Sequence, residues 1–143
     1  MIKNDLEYDV TLSWVNGMGR AIAMLERDEE KKNNDPDVWQ IHYDGVTSQR
    51  QDLQEQVTEY EALIAHNPNN KIVLQINCMD ELSDLLIKAR IAFKITQEEL
   101  AYLCDFNTEQ IQLFEDKDYQ NASYLDFLAV ANALGVEIVD GKF

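Results

Sequence analysis

The stretch that most constrains the fold is residues 95–115, with the sequence ITQEELAYLCDFNTEQIQLFE. Thr96 is a favourable N-cap for a helix, and Glu99 three residues later completes a capping box. Residues 105–107 break the helical period, and their aspartate tolerates a left-handed backbone better than most residues do. A second helix restarts at Thr108. The stretch therefore predicts two short helices joined by a tight turn.

Two helices this short cannot bury enough apolar surface by themselves, so neighbouring helices have to cover them. The segments 82–95 and 123–134 flank the pair and are able to do so. The sequence therefore predicts an all-α domain over residues 80–143, in which these segments are four of about five helices. The apolar positions that would form the buried face of the central pair are Leu100, Ala101, Cys104, Ile111 and Phe114.

Several spaced positions in this region follow a recognisable pattern. They are Arg90, TQEELA at 96–101, Ile111, Glu115 and LAVANALG at 128–135. With these residues, segment 82–136 resembles the helix-turn-helix of the XRE family, the Cro/C1-type phage repressors. The resemblance implies a lambda-repressor-like fold and a dimeric, sequence-specific DNA-binding transcription regulator, of the repressor type and able to regulate its own operon. Members of that family are often repressors, or antitoxins that also bind a toxin.

The resemblance also implies a structural ion pair. Arg90 and Glu115 occupy the positions of a partly buried pair that ties the first helix of the domain to the third. Arginine suits such a pair because its planar guanidinium donates two parallel hydrogen bonds to a carboxylate. Two unrelated surface charges are the alternative interpretation.

The positions that contact DNA in the resembling family can be carried over residue by residue. Glutamine and threonine can hydrogen-bond to base edges, glutamate can accept from cytosine N4, and leucine can touch a thymine methyl. Lys117 and Tyr119 follow the third helix and would hold the phosphate backbone, with aromatic packing as the alternative for Tyr119. The remaining positions are Gln97, which would reach a phosphate, and Thr108, Glu109, Gln112 and Leu113, which would face the bases.

The net charge of the chain does not favour DNA binding. The formal net charge is −15, and residues 80–143 hold 13 acidic against 5 basic side chains. DNA-binding domains usually carry a basic face, because phosphate neutralisation supplies most of their affinity. The rival hypothesis is therefore a protein-interaction module, such as an antitoxin, whose acidic surface attracts a basic protein and binds DNA weakly or not at all.

The sequence predicts that residues 1–70 form an antiparallel helical hairpin, through which the chain forms a homodimer. Two apolar seams with alternating three- and four-residue steps run through it, in the manner of a coiled coil, and a turn ending at Pro36 joins them. Asp44-Gly45 would be a local kink, and Gly17 and Gly19 indicate either a close-packed neighbour or flexibility. The first seam, in a helix from about Tyr8 to Lys32, comprises Tyr8, Thr11, Val15, Met18, Ile22, Leu25 and Glu29. The second comprises Trp39, Tyr43, Val46, Arg50, Leu53, Val57, Tyr60 and Ile64.

Residues 66–70 stop the second helix, and residues 71–79 form a connection to the helix-turn-helix domain. Residues 71–77 are rich in β-branched side chains, so they could form a short strand that pairs with residues 136–139. Such a two-stranded pairing is marginal in water without helices behind it. An extended linker is the alternative.

Other functions receive little support from the sequence. The N-terminus carries charges where a signal peptide has its apolar core, and no apolar run could span a bilayer, so we expect a cytoplasmic protein without membrane association. Cys78 and Cys104 form no C-x-x-C motif, and two histidines are too few for a zinc site. Gly-rich phosphate loops and nucleophile–base patterns are absent. We expect no metal, no cofactor and no enzymatic activity.

Overall fold

The computed structural model describes residues 1–142. This part of the chain is all-α, as the sequence predicts, and contains no β-strand. It divides into two compact units, Met1–Ala62 and a second unit that begins at Leu63. The helices are α1 (Asp5–Arg27), α2 (Glu29–Asn34), α3 (Pro36–Ala65), α4 (Leu82–Ala92), α5 (Gln97–Cys104), α6 (Thr108–Asp116) and α7 (Tyr124–Ala133), with a turn of 3-10 helix at Met79–Glu81.

The first seam does not lie on one continuous helix, which corrects the prediction of a helix to Lys32. Asp28 leaves the helical conformation with φ −83° and ψ 73°, so α1 ends before it and α2 begins after it. Its carboxylate accepts a hydrogen bond from the backbone N–H of Lys31 at 3.1 Å. Aspartate is a strong N-cap because it satisfies N–H groups that have no partner at the start of a helix. The N-cap at Asp28 therefore starts a new helix, although the charged sequence continues on both sides of it.

Hydrogen bonds across the first unit show that α1 and α3 are antiparallel. Near the start of α3, the indole Nε1 of Trp39 donates to the backbone oxygen of Leu25 at 2.9 Å. Near its end, the Tyr60 hydroxyl donates to Asp5 Oδ1 at 2.9 Å. Because residue numbers rise along α3 while those of their partners fall along α1, the two helices run in opposite directions.

The polar residue in the second seam, Arg50, explains one of the glycines in α1. Its Nε donates to the backbone oxygen of Val15 at 3.3 Å. A Cβ built on Gly19 would lie only 3.3 Å from that same Nε, so the missing side chain leaves room for the guanidinium. Gly17 has no such neighbour, because a Cβ there would approach only Arg20 Nη2, at 3.8 Å.

Gly45 lies inside α3, which continues through it without a break. A Cβ at this position would meet nothing within 4 Å. Glycine in a helix costs about 1 kcal/mol relative to alanine, so we expect Gly45→Ala to raise the free energy of unfolding by about that amount. Urea denaturation followed by circular dichroism measures it.

Gly135 provides the matched control for that substitution. A Cβ there would also meet nothing within 4 Å, but the backbone has a φ of +67° just after α7. Alanine is strained in that conformation, so Gly135→Ala should lower stability. If both substitutions changed stability in the same direction, backbone conformation would not be the deciding factor.

The core of the second unit lies among α4, α5, α6 and α7. Leu100, Ala101, Ile111 and Phe114 are buried, as their spacing predicts, whereas Cys104 is only half-buried. Burial raises the pKa of the Cys104 thiol. The apolar side chains with no exposed surface are Ile87, Ala92, Leu100, Ile111 and Val130.

The segments on either side of this helical core come near each other without forming a sheet. Lys71 Nζ lies 3.5 Å from Glu137 Oε2, but residues 71–77 and 136–142 contain no strand. Within the described residues the possible β pairing is therefore not formed, and residues 71–76 form a connection without regular secondary structure. The side chains of Ile72, Leu74 and Ile76 are partly buried while those between them are exposed, which explains the strand-like pattern.

Candidate nucleic-acid interface

The start of α5 has the capping box that its sequence predicts. The backbone N–H of Glu99 donates to Thr96 Oγ1 at 3.1 Å, and the backbone N–H of Thr96 donates to Glu99 Oε2 at 2.8 Å. Two donors that a helix start leaves without partners are satisfied in this way. The position of α5 along the chain is thus set by local chemistry.

The turn between α5 and α6 is equally well specified. Asp105 adopts the left-handed conformation expected of it, with φ 59° and ψ 36°. The backbone N–H of Phe106 donates to the oxygen of Ala101 at 2.9 Å and closes the end of α5. Asn107 and Gln110 then form a second capping box at the start of α6, with hydrogen bonds of 2.8 and 3.1 Å.

A buried ion pair joins α4 to α6. Arg90 donates from Nε to Glu115 Oε1 at 2.5 Å and from Nη2 to Oε2 at 2.8 Å, and its Nη1 donates to the backbone oxygen of Ile95 at 3.1 Å. Arg90 is 8% exposed and Glu115 is 1% exposed. The two residues are therefore not independent surface charges, and the pair fixes the orientation of α6 relative to α4.

Gln97, in the first turn of α5, joins this network. Its Nε2 donates to Glu115 Oε2 at 2.7 Å, and the residue is half-buried. A glutamine amide nitrogen carries two hydrogens. One of them serves the carboxylate, so the other is the one with which Gln97 could reach a phosphate.

The four positions predicted to face bases lie near one another on α6. Glu109 and Gln112 are exposed, Leu113 is 51% exposed, and Thr108 is partly exposed. Their i, i+1, i+4 and i+5 spacing places them on one side of the helix. Lys117 is exposed at the end of the same helix.

Tyr119 is not on the surface, which corrects the prediction that it holds the phosphate backbone. It is 6% exposed, and its ring centroid lies 5.7 Å from that of Phe114 and 6.0 Å from that of Phe127. Its backbone, with φ 58°, turns back so that its N–H donates to the oxygen of Phe114 at 2.7 Å. Tyr119 is a packing residue, in agreement with the alternative interpretation.

The hydroxyl of Tyr119 is buried without a hydrogen-bond partner among the described residues. Burial, and secondarily the nearby Glu115 carboxylate, raise the pKa of this phenol. An unsatisfied buried polar group costs about 1–3 kcal/mol, so we expect Tyr119→Phe to leave stability unchanged or to raise it by up to that amount. Thermal denaturation measures the change.

Tyr60 is the matched control, since this residue is buried in the first unit and its hydroxyl donates to Asp5. Tyr60→Phe removes a hydrogen bond that is made, and it should therefore lower stability by about 1 kcal/mol. A loss of stability in Tyr119→Phe as large as that in Tyr60→Phe would show that the Tyr119 hydroxyl has a partner.

A shallow groove that the sequence pattern does not predict runs along one side of α5. It is lined by Phe93, Lys94, Ile95, Glu98, Glu99, Tyr102 and Leu103. Tyr102 is 87% exposed and Leu103 is 55% exposed, although both are large and partly or wholly apolar. The available signal was the segment LAYLC, which contains more apolar positions than the single face turned to the core requires.

The charge around the site is predominantly negative. Neither α5 nor α6 contains a lysine or arginine, and together they carry five acidic residues. Among nearby cations, Lys94 donates to the backbone oxygen of Ile64, and Lys71 lies beside Glu137. Lys117 is the exposed cation closest in sequence to α6.

The fold and the site define a two-unit, all-α protein whose second unit holds two short capped helices in place with a buried ion pair. No family model, no curated protein and no solved structure matches the chain. In residues 1–142, no cluster of three or more His, Cys, Asp or Glu side chains could hold a metal ion. None of the described helices combines the length and apolar character needed to cross a membrane.

Proposed function

We propose that the protein is a dimeric, sequence-specific DNA-binding regulator that inserts α6 into the major groove. The observation that carries this proposal is the bidentate pair between Arg90 and Glu115. The two buried charges of this pair orient α6, whose opposite side is polar and exposed. A helix held in this way by the core can present its outer side chains to base edges at a defined angle.

Each exposed position on α6 has a chemically suitable target. Thr108 and Gln112 can hydrogen-bond to base edges, Glu109 can accept from cytosine N4, and Leu113 can contact a thymine methyl. Gln97 and Lys117 would contact phosphates on the two sides of the groove. Two copies related by a two-fold axis would place their α6 helices in successive major grooves, about 34 Å apart.

The acidic surface sets the expected strength of this binding. With few cations near α6, little affinity comes from the release of counterions, and the remaining acidic groups repel the phosphates. We therefore infer modest affinity that depends on both copies binding at once.

Retention of genomic DNA tests the proposal. The protein is incubated with random genomic fragments at low salt, and the retained fragments are sequenced. A two-fold symmetric motif should be enriched, and Gln112→Ala should weaken its retention by about tenfold, as expected for losing one base contact. Gln49→Ala, an exposed glutamine in the first unit, is the control. The absence of any enriched two-fold site would contradict the proposal.

A second candidate function is favoured by the groove beside α5. The protein would then be an interaction module, such as an antitoxin, that binds a basic protein. Glu98 and Glu99 lie next to exposed Tyr102 and Leu103, a combination that suits an amphipathic helix with basic residues on its polar side. Aromatic side chains of this kind commonly anchor protein interfaces.

Co-purification from the native host separates the two functions. Recovery of a stoichiometric basic protein without DNA favours the second candidate. Tyr102→Lys should then abolish recovery of that partner, whereas Gln112→Ala should leave it unchanged. Recovery of DNA without a protein partner favours the first.

A further inference from the structure

The helix α1 carries a second apolar stripe that is not part of the hairpin seam. Its steps of three and four residues keep it on one side of the helix. The large members are well exposed, at 75% for Leu6, 49% for Val10, 61% for Trp14 and 72% for Met24. Soluble proteins rarely expose a continuous apolar surface of this kind without a use for it. The full stripe is Leu6, Val10, Trp14, Gly17, Ala21 and Met24.

The small residues in the stripe are placed where a second helix could approach closely. Gly17 makes no close contact within its own unit, since a Cβ there would reach only Arg20 Nη2, at 3.8 Å. A glycine in mid-helix lowers helix propensity, but its missing Cβ leaves room for a helix of another molecule to approach closely. The exposed indole of Trp14 lies one turn away and is the right kind of group to fill such a space.

The charges beside the stripe differ between its two ends. The first half of α1 carries Glu7 and Asp9, which are exposed, and has no basic residue. The second half carries exposed Arg20 and Arg27, while its one acid, Glu26, accepts a hydrogen bond from the Tyr43 hydroxyl at 3.0 Å. Two parallel copies of α1 would set like charges together, whereas two antiparallel copies would set opposite charges together.

We propose that the occupant of this stripe is the α1 helix of a second copy of the chain, packed antiparallel across a two-fold axis near the middle of the helix. Trp14 of each copy then fills the space left by Gly17 of the other. In an antiparallel pair, facing residues keep a constant sum of residue numbers. Val10 therefore lies opposite Ala21 when Trp14 lies opposite Gly17. The contact is isologous, so it closes as a dimer.

The stripe on α1 is the surface through which the dimer of the proposed function would form. In that respect the proposed contact rests on the proposed function, but it also stands on the exposed side chains of α1 alone. The oligomeric state is therefore measured without DNA. A dimer that retains no DNA would contradict the proposed function only, and a dimer that retains DNA but is not weakened by Trp14→Asp would contradict this inference only.

Sedimentation equilibrium of the full chain over a range of concentrations tests the proposal. The unsubstituted chain should show twice the mass of one copy at high concentration. Trp14→Asp should weaken the dimer by at least about thirtyfold, the effect of a central interface residue. Ile41→Asp is the control, since Ile41 is 73% exposed on α3 and lies outside the stripe. Far-UV circular dichroism verifies that both variants remain folded.

Engineered cysteines test the orientation. In a chain carrying Cys78→Ser and Cys104→Ala, the variants Val10→Cys and Ala21→Cys are oxidised separately and as a mixture. Disulfides require close Cα atoms, so the antiparallel register predicts cross-linked dimers in the mixture and few in either variant alone. A parallel pair would give cross-linked dimers in each variant alone.

Three results would overturn the proposal. They are a chain that stays monomeric at all concentrations, a Trp14→Asp variant as dimeric as the unsubstituted chain, and cross-links that form readily in each variant alone. The first would assign the stripe to a different protein.

Discussion

Replacing Glu115 with glutamine is expected to lower the free energy of unfolding of the second unit by about 3–5 kcal/mol. The substitution keeps the shape of the side chain and removes its charge. Arg90, 8% exposed, would then be a buried cation whose partner is neutral. Because small domains are stable by only about 5–15 kcal/mol, the loss would leave α6 poorly held at physiological temperature.

The arrangement around Glu115 explains why the expected loss is large. Its two carboxylate oxygens accept from Arg90 Nε and Nη2, and Oε2 also accepts from Gln97. Three of the helices of the second unit, α4, α5 and α6, therefore meet at one carboxylate. Charge-assisted hydrogen bonds of this type are about twice as strong as neutral ones.

Urea denaturation followed by circular dichroism measures the change. Glu109→Gln, one turn and a half earlier on the exposed side of α6, is the control and should change stability by less than about 0.5 kcal/mol. The double substitution Arg90→Met and Glu115→Leu should recover most of the loss, since a buried pair can be replaced by apolar groups at little cost. Equal losses in Glu115→Gln and Glu109→Gln would contradict the buried-pair interpretation.

Replacing Trp39 with alanine is expected to destabilise the first unit by about 3–5 kcal/mol, the cost of removing a large aromatic side chain from a core. Trp39 is 6% exposed and stacks on Tyr43 with ring centroids 4.9 Å apart. Its indole N–H satisfies the backbone oxygen of Leu25 near the end of α1, and Lys32 Nζ lies 4.8 Å from its ring centroid. One side chain thus joins all three helices of this unit.

A graded series separates these contributions. Trp39→Phe keeps an aromatic ring but loses the hydrogen bond to Leu25, so it should cost less than the alanine substitution. Ile41→Ala, at a position 73% exposed on the same helix, should cost about 0.5 kcal/mol or less. Far-UV circular dichroism in urea reports all three without relying on tryptophan fluorescence. A Trp39→Ala variant as stable as Ile41→Ala would show that Trp39 does not anchor the unit.

Local chemistry made several features predictable. The capping box of Thr96 and Glu99 and the left-handed Asp105 involve residues a few positions apart, so their geometry follows from covalent spacing alone. The antiparallel order of α1 and α3 follows from two apolar seams and a short connection. The partnership of Arg90 and Glu115 was expected from the resemblance to a family, since nothing in their separation along the chain requires them to meet.

Other features depend on contacts that the sequence pattern around a residue does not indicate. Asp28 interrupted a pattern that reads as one helix, because its side chain caps a new helix. Residues 71–77 are rich in β-branched side chains but contain no strand, because a pairing of only two strands is marginal in water. Arg50 lies in an apolar seam because Gly19 and the oxygen of Val15, both on another helix, accommodate it.

The class of fold, the two capped helices at 95–115 and the polar character of the outer side of α6 could all be predicted from the amino-acid sequence. These depend on helical periodicity and on hydrogen bonds between close neighbours in the chain. The burial of Tyr119, the hydrogen bond of Gln97 to the same carboxylate as Arg90, and the exposure of Tyr102 and Trp14 depend on the packing of distant segments. Burial depends on which surfaces distant segments cover, and periodicity indicates an apolar side chain without indicating what covers it.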